Sequence, residues 1–232
     1  MEELPTNTIH RLRDQMPSML DILPRGLTTA EARLVAERQA SLLLRLLDVR
    51  QPCADIERLL ELPELEVEFL PGIPESGTSA WRRDHWHIRL NSDDDLWRSR
   101  VTLAHEFKHI LDDPFREQLY PGWTYDSDGK APRQAEEISD YFAGCVLVPK
   151  RWLVNVWYAG VHDVPTLAAT FDVSESLILT RLEQTGIEEK AQPEHERHPR
   201  RPYTRAALPR LGRRLESQPA RRHALELTGE RG

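Results

Sequence analysis

Apolar residues recur at helical spacing through TTAEARLVAERQASLLLRLLDV (28–49). Leu34, Leu42, Leu43, Leu46 and Leu47 predict one apolar face, Thr28 or Thr29 an N-cap, and Glu31 an acidic first turn. CADIERLLEL (53–62) predicts a short helix ending before Pro63. The period then changes. LEVEFL (65–70) alternates as a strand does, PGIPESG (71–77) is a loop, and TSAWR (78–82) and HWHIRL (85–90) predict a hairpin around Asp84. Ser92 offers the N-cap of the next helix, with Asp93, Asp94 and Asp95 near its positive end, and that helix runs through HEFKHIL to stop before Pro114. Residues 113–131 form a long loop. Pro132 opens a helix over RQAEEISDYFAGCVLV that halts at Pro149, and RWLVNVWYA forms another ending at Gly160. PTLAATFDVSESLILTRLEQTG reads as two short helices joined at Asp172, Val173 and Ser174 and stopped by Gly186.

These elements predict an α+β fold in one unit, residues 27–187, with a small twisted antiparallel sheet, a helix pair and a helical C-terminal cap. Residues 1–26, holding Pro5, Pro17 and Pro24, read as an irregular lead-in. The tail, 188–232, has a different character. Within 197–225 nine Arg stand against one Glu with four Pro, a composition that buries too little apolar surface to offset its ordering entropy, so disorder is expected. Its charge would suit nucleic acid or an acidic partner, while residues 1–187 are net acidic.

Composition narrows the class. A chain of 232 residues with 39% hydrophobic and 30% charged residues can build a core beneath a highly charged surface. No apolar run approaches the ~18–20 residues of a membrane span, so no membrane partner is expected, and no secretory signal is recognisable in MEELPTNTIHRLRDQ. Two cysteines, Cys53 and Cys145, exclude a disulfide scaffold or Cys-rich zinc site and fit a reducing cytoplasm.

Chemistry concentrates in VTLAHEFKHILD (101–112). His105 and His109 lie four apart on one helix face with Glu106 after the first, the HExxH spacing of zinc peptidases. Catalytic zinc takes three protein ligands and leaves a position for water. In EEISD (136–140), Glu136 and Asp140 again share a face. The expected roles are His105, His109 and Glu136 as Zn2+ ligands, with Glu137 as the rival third ligand. Glu106 is the expected general base, and Asp140 the acceptor of a ligand histidine's other ring N–H. Read as ordinary surface charges, the histidines would need no such partners. Tyr125, Tyr141 and His162 are available donors for an oxyanion.

A metzincin would continue HExxHxxGxxH, but Asp112 and Phe115 occupy those positions. RSRVTLAHEFKHILD, EEISDYFAGCVLVPKRW and LAATFDVSESLILTRLEQTG, in that order, resemble the ImmA/IrrE family of bacterial and phage metallo-endopeptidases, over about residues 30–187. Lys108 stands where that family commonly has Gly, Asp113 where His often precedes Pro, and Ser139-Asp140 replaces Ala-Asn. Lys108 is therefore expected to point outward. The resemblance implies a zincin-like fold, the ligand set His105, His109 and Glu136, Glu106 as acid/base, and a protein substrate, a helix-turn-helix repressor. A partner-binding regulator that keeps the fold without cleaving peptide is the alternative. Residues 165–184 mimic a helix-turn-helix, but SESLILTRLEQ offers one Arg and two Glu, which favours packing over DNA contact. The strand at Thr78–Trp81 is a candidate edge for an added substrate strand.

Overall fold

The computed structural model describes residues 4–16, 25–120 and 132–187. Residues 121–131, expected as part of a loop and including Tyr125, and the Arg-rich tail lie outside these. The elements in chain order are α1 (Thr8–Arg13), α2 (Thr29–Leu46), a 3-10 helix (Ile56–Glu61), β1 (Leu65–Leu70), β2 (Gly77–Arg82), β3 (His85–Asn91) and α3 (Leu96–Asp112). A 3-10 turn (Asp113–Phe115) leads into the short α4 (Arg116–Leu119). There follow α5 (Arg133–Leu147), α6 (Lys150–Tyr158), α7 (Val164–Phe171) and α8 (Glu175–Thr185). This is the expected α+β architecture, and no helix among the described residues is long and apolar enough to cross a membrane.

The sheet departs from expectation in one respect. β2 and β3 form the predicted antiparallel hairpin, but β1 runs parallel to β3, giving a mixed sheet of order β1-β3-β2. β2 already occupies one edge of β3, and the Trp86 N–H reaches across the other edge to the Glu64 carbonyl (2.9 Å). β3, the central strand, buries Trp86, Ile88 and Leu90 on one face. β1 buries only Leu65 fully. A second departure is the N-terminus. Thr8–Arg13 is helical, Leu4, Ile9 and Leu12 are buried in the core, and Arg13 donates to the Ile110 (2.7 Å) and Leu111 (3.3 Å) carbonyls at the end of α3. The lead-in is thus partly built into the fold.

α2 starts at a capping box in which the Glu31 N–H donates to the Thr28 hydroxyl and the Thr28 N–H to the Glu31 carboxylate. Its core face is Ala32, Val35, Ala36, Gln39 and Leu43; Leu34, expected on that face, is exposed. Ser92 does not cap α3. Asp95 takes the N-cap place without a side-chain cap bond, and the Asp93 carboxylate accepts the Gly72 N–H instead (2.8 Å). The core centres where α3 meets α5: Leu103, Ala104, Phe107, Ile110 and Leu111 pack with Ile138, Phe142 and Val146, all buried. Burying each large apolar side chain contributes about 1.5–3 kcal/mol, so this seam fixes the relative placement of the two helices and of the polar groups they carry.

Gly77 sets how closely β2 approaches α3. A Cβ there would stand 2.4 Å from the Thr102 Cγ2. The C-terminal cap is tied to α3 by Arg100, which is buried and donates to the Asp172 carbonyl (2.7 Å) and carboxylate (3.0 Å) in the turn between α7 and α8. Its Nε also pairs with Glu57 at 2.9 Å. Ser174 and Asp163 cap α8 and α7, and Gly186, at φ 59°, ends α8.

Candidate metal centre

α3 and α5 bury their apolar faces against each other and raise their polar residues into one cleft of about 1340 Å³. On α3, His105 and His109 stand one turn apart, their ring centroids 4.8 Å apart and tilted by 66°. Their Nε2 atoms approach to 3.0 Å. The Glu136 carboxylate on α5 lies against both, with Oε2 3.3 Å from His105 Nε2 and Oε1 3.4 Å from His109 Nε2. Glu137, one residue on, points elsewhere and pairs with Arg133 at 2.7 Å. Asp140, one turn further along α5, accepts from His105 Nδ1 at 2.8 Å. With Nδ1 hydrogen-bonded there, Nε2 faces the point shared with His109 and Glu136.

The donor set fits a cation. At zinc–ligand distances of about 2.0–2.1 Å in tetrahedral geometry, neighbouring ligand atoms stand about 3.3–3.4 Å apart. Here the two imidazole Nε2 atoms stand 3.0 Å apart, the Glu136 carboxylate spans them with one oxygen 3.3 Å from His105 and the other 3.4 Å from His109, and one ligand atom from each residue lies within 4.8 Å of the others. Charge leads to the same conclusion. Burial disfavours protonation of His105, but hydrogen bonding to Asp140 and Glu136 and the nearby Glu106 outweigh it and raise its pKa to about 10. The Glu136 carboxyl is held below its ordinary range because both imidazoles outweigh its burial. Three carboxylates around two imidazoles thus draw positive charge into the cluster. Among the described residues this is the one group of His, Cys, Asp or Glu side chains whose ligand atoms converge for a metal.

Glu106, buried, faces the sheet edge. Ser79 on β2 donates its hydroxyl to Glu106 Oε2 at 2.7 Å. Ser79 was not singled out from sequence, because nothing in TSAWR distinguishes it before the strand's register against α3 is known. The backbone of β2 is also turned usefully. Asn91 N–H donates to the Ser76 carbonyl (2.8 Å) and Trp86 N–H points to β1. By antiparallel alternation, Gly77, Ser79 and Trp81 then direct their N–H and C=O groups away from β3, toward the open edge in the cleft. Leu177, Thr180 and Gln184 of α8 also line the cleft. The helix-turn-helix-like segment therefore turns this face to the cleft.

Lys108 does not point outward as expected. Its side chain is buried, its ammonium pairs with Asp112, and the other Asp112 oxygen accepts the Tyr120 hydroxyl at 2.7 Å. Burial lowers the Lys108 pKa against the pull of Asp112. Of the oxyanion candidates, the Tyr141 hydroxyl donates to Glu37. His162 bonds the Trp157 carbonyl at 3.0 Å, away from the cleft lining.

A model of the IrrE N-terminal-like domain, peptidase family M78, matches residues 67–183, from β1 into α8. The chain belongs to this family. The family match spans all five polar residues of the cluster, so the domain is metallopeptidase-like and carries a His–His–Glu group able to hold a metal. Among solved structures, a Mycobacterium tuberculosis transcriptional regulator is similar at 14% identity and a TM-score of 0.47, over 76% of this chain and 51% of that one. The chain thus spans about half the length of that protein. No curated protein matches the chain.

Proposed function

We propose that the chain is a zinc-dependent endopeptidase acting on a cytoplasmic regulatory protein, a helix-turn-helix repressor. The observation that carries this reading is the convergence of His105 Nε2, His109 Nε2 and the Glu136 carboxylate beside Glu106. Three protein ligands are the mark of a catalytic zinc, whereas structural sites are closed by four. The choice of a repressor as substrate follows the family resemblance.

In this reading His105, His109 and Glu136 hold the ion, and Asp140 keeps His105 in the tautomer that offers Nε2. Zinc, when bound, polarises the scissile carbonyl and brings the pKa of a water to about 7. Glu106 moves the proton. Its Oε2 is held by the Ser79 hydroxyl, which leaves Oε1 to take a proton from the attacking water and deliver it to the departing amide nitrogen. The substrate lies as an added strand on β2, exchanging hydrogen bonds with Gly77, Ser79 and Trp81, so the strand that aligns the peptide also positions the proton carrier.

Glu106→Gln tests the reading. New protein N-termini are compared between cells expressing the wild type and cells expressing the variant. The expected result is a helix-turn-helix protein cut only by the wild type, with zinc content equal in both. Regulation of target genes that is unchanged in the variant, with no new termini in either strain, would favour a non-proteolytic regulator instead.

A further inference from the structure

Four cationic side chains are buried among the described residues: Arg58, Arg100, Lys108 and Arg181. Three have carboxylate partners. Arg58 lies 3.7 Å from Glu61, Arg100 pairs with Glu57 and Asp172, and Lys108 with Asp112. Arg181, 2% exposed, pairs with no carboxylate among the described residues. Its Nε donates to the Val148 carbonyl (3.3 Å), its Nη1 to the Gln184 side chain (2.7 Å), and its guanidinium carbon lies 5.5 Å from the Tyr141 ring centre. These dipoles, the ring and a polar contact with the Cys145 thiol soften the charge without cancelling it, since none of them is a carboxylate.

Arg181 borders a cavity of about 320 Å³ separate from the cleft, with Arg45 of α2 and Lys150 and Arg151 of α6 around it. The one acid in its wall is Glu37, whose carboxylate already accepts the Tyr141 hydroxyl. Lys150 and Arg151 are the first two residues of α6, whose first turn holds no acid. Cations there reverse the usual preference at a helix N-terminus, where the backbone itself adds positive charge. An excess of positive charge is thus gathered around one cavity, with a buried guanidinium among its walls.

We propose that this cavity binds a small anion bearing a phosphoryl group, with Arg181 as its buried anchor and Arg45, Lys150 and Arg151 as its rim. A guanidinium presents a planar fork of donors that matches phosphate oxygens, and several converging cations suit a multiply charged anion. The volume lies at the lower end of the range for small-molecule sites. No residue of this cavity lines the cleft, so the site is distinct from the His105–His109–Glu136 group.

The test is calorimetric titration of the full-length protein with inorganic phosphate and with pyrophosphate at constant ionic strength. Three variants are titrated in parallel: Arg45→Glu/Lys150→Glu, whose residues are exposed, Arg181→Gln, and His105→Ala. The expected result is saturable binding of one anion per chain, weakened at least about tenfold by the rim variant, abolished in Arg181→Gln and unchanged in His105→Ala. Should Arg181→Gln fail to fold, the rim variant alone decides. Absence of saturable binding into the millimolar range, equal affinity in the rim variant, or loss of binding in His105→Ala would overturn the proposal.

Discussion

Replacing Asp112 by Ala probes the buried charge on the helix that carries His105 and His109. The Lys108 and Asp112 side chains are 2% and 5% exposed, and Asp112 serves both the ammonium and the Tyr120 hydroxyl. Removing the carboxylate leaves a desolvated ammonium without its acceptor and takes one hydrogen-bond partner from the Tyr120 hydroxyl. Breaking a buried pair by deleting one partner costs about 3–5 kcal/mol, a large share of the about 5–15 kcal/mol available to a typical domain. Urea unfolding of metal-free wild type and variant measures this as a fall in midpoint at unchanged slope. Lys108→Met/Asp112→Asn, which removes both charges and keeps roughly the volume, should unfold within about 1 kcal/mol of the wild type, because the lost attraction and the relieved desolvation nearly cancel. A loss below about 1 kcal/mol in Asp112→Ala would mean that the ammonium reaches water, and the reasoning from burial would fail.

Asp140→Ala should weaken zinc affinity by about 10–100-fold while leaving the fold intact, measured by competition with a chromogenic chelator. Gly77→Ala should destabilise by about 1–3 kcal/mol through the clash with Thr102, and Thr102→Ser, which removes the clashing methyl, should restore much of it in thermal melts. In the metal-free protein His105 has its pKa raised to about 10, against about 6.5 when unfolded. A raised folded-state pKa contributes stability fully present below the unfolded value and lost as pH rises through the folded one. The melting temperature of metal-free protein should therefore fall between those limits, and His105→Ala should flatten that fall.

Much of the candidate site's geometry was legible because it is written in helical spacing. His105 and His109, and Glu136 and Asp140, are i, i+4 pairs, and such pairs share a face wherever the helix goes. The apolar residues between them fix how the two helices pack, which is why Glu136 and not Glu137 meets the histidines. What was not legible depends on distant partners. Ser79 reaches Glu106 only because β2 lies at the sheet edge beside α3 and Gly77 permits the close approach. Lys108 is buried because Asp112, itself held by the Tyr120 hydroxyl, receives its ammonium, and a lysine's sequence neighbours do not announce its acceptors. The parallel pairing of β1 is equally non-local, since alternation shows that a strand has two faces and says nothing of its neighbours. Leu34 failed for a simpler reason: a long apolar side chain can sit outside the stripe, and Val35 and Gln39 hold the core positions instead.

The central claim is that His105, His109 and Glu136 hold a catalytic zinc. Its most direct test is the zinc content, by elemental mass spectrometry, of protein purified under zinc-replete conditions, as wild type, Glu136→Ala and Glu106→Gln. About one zinc per chain in the wild type and in Glu106→Gln, with loss or marked weakening in Glu136→Ala, is the predicted result. A wild type that takes up no zinc, or a Glu136→Ala variant that holds it as tightly, would contradict the account.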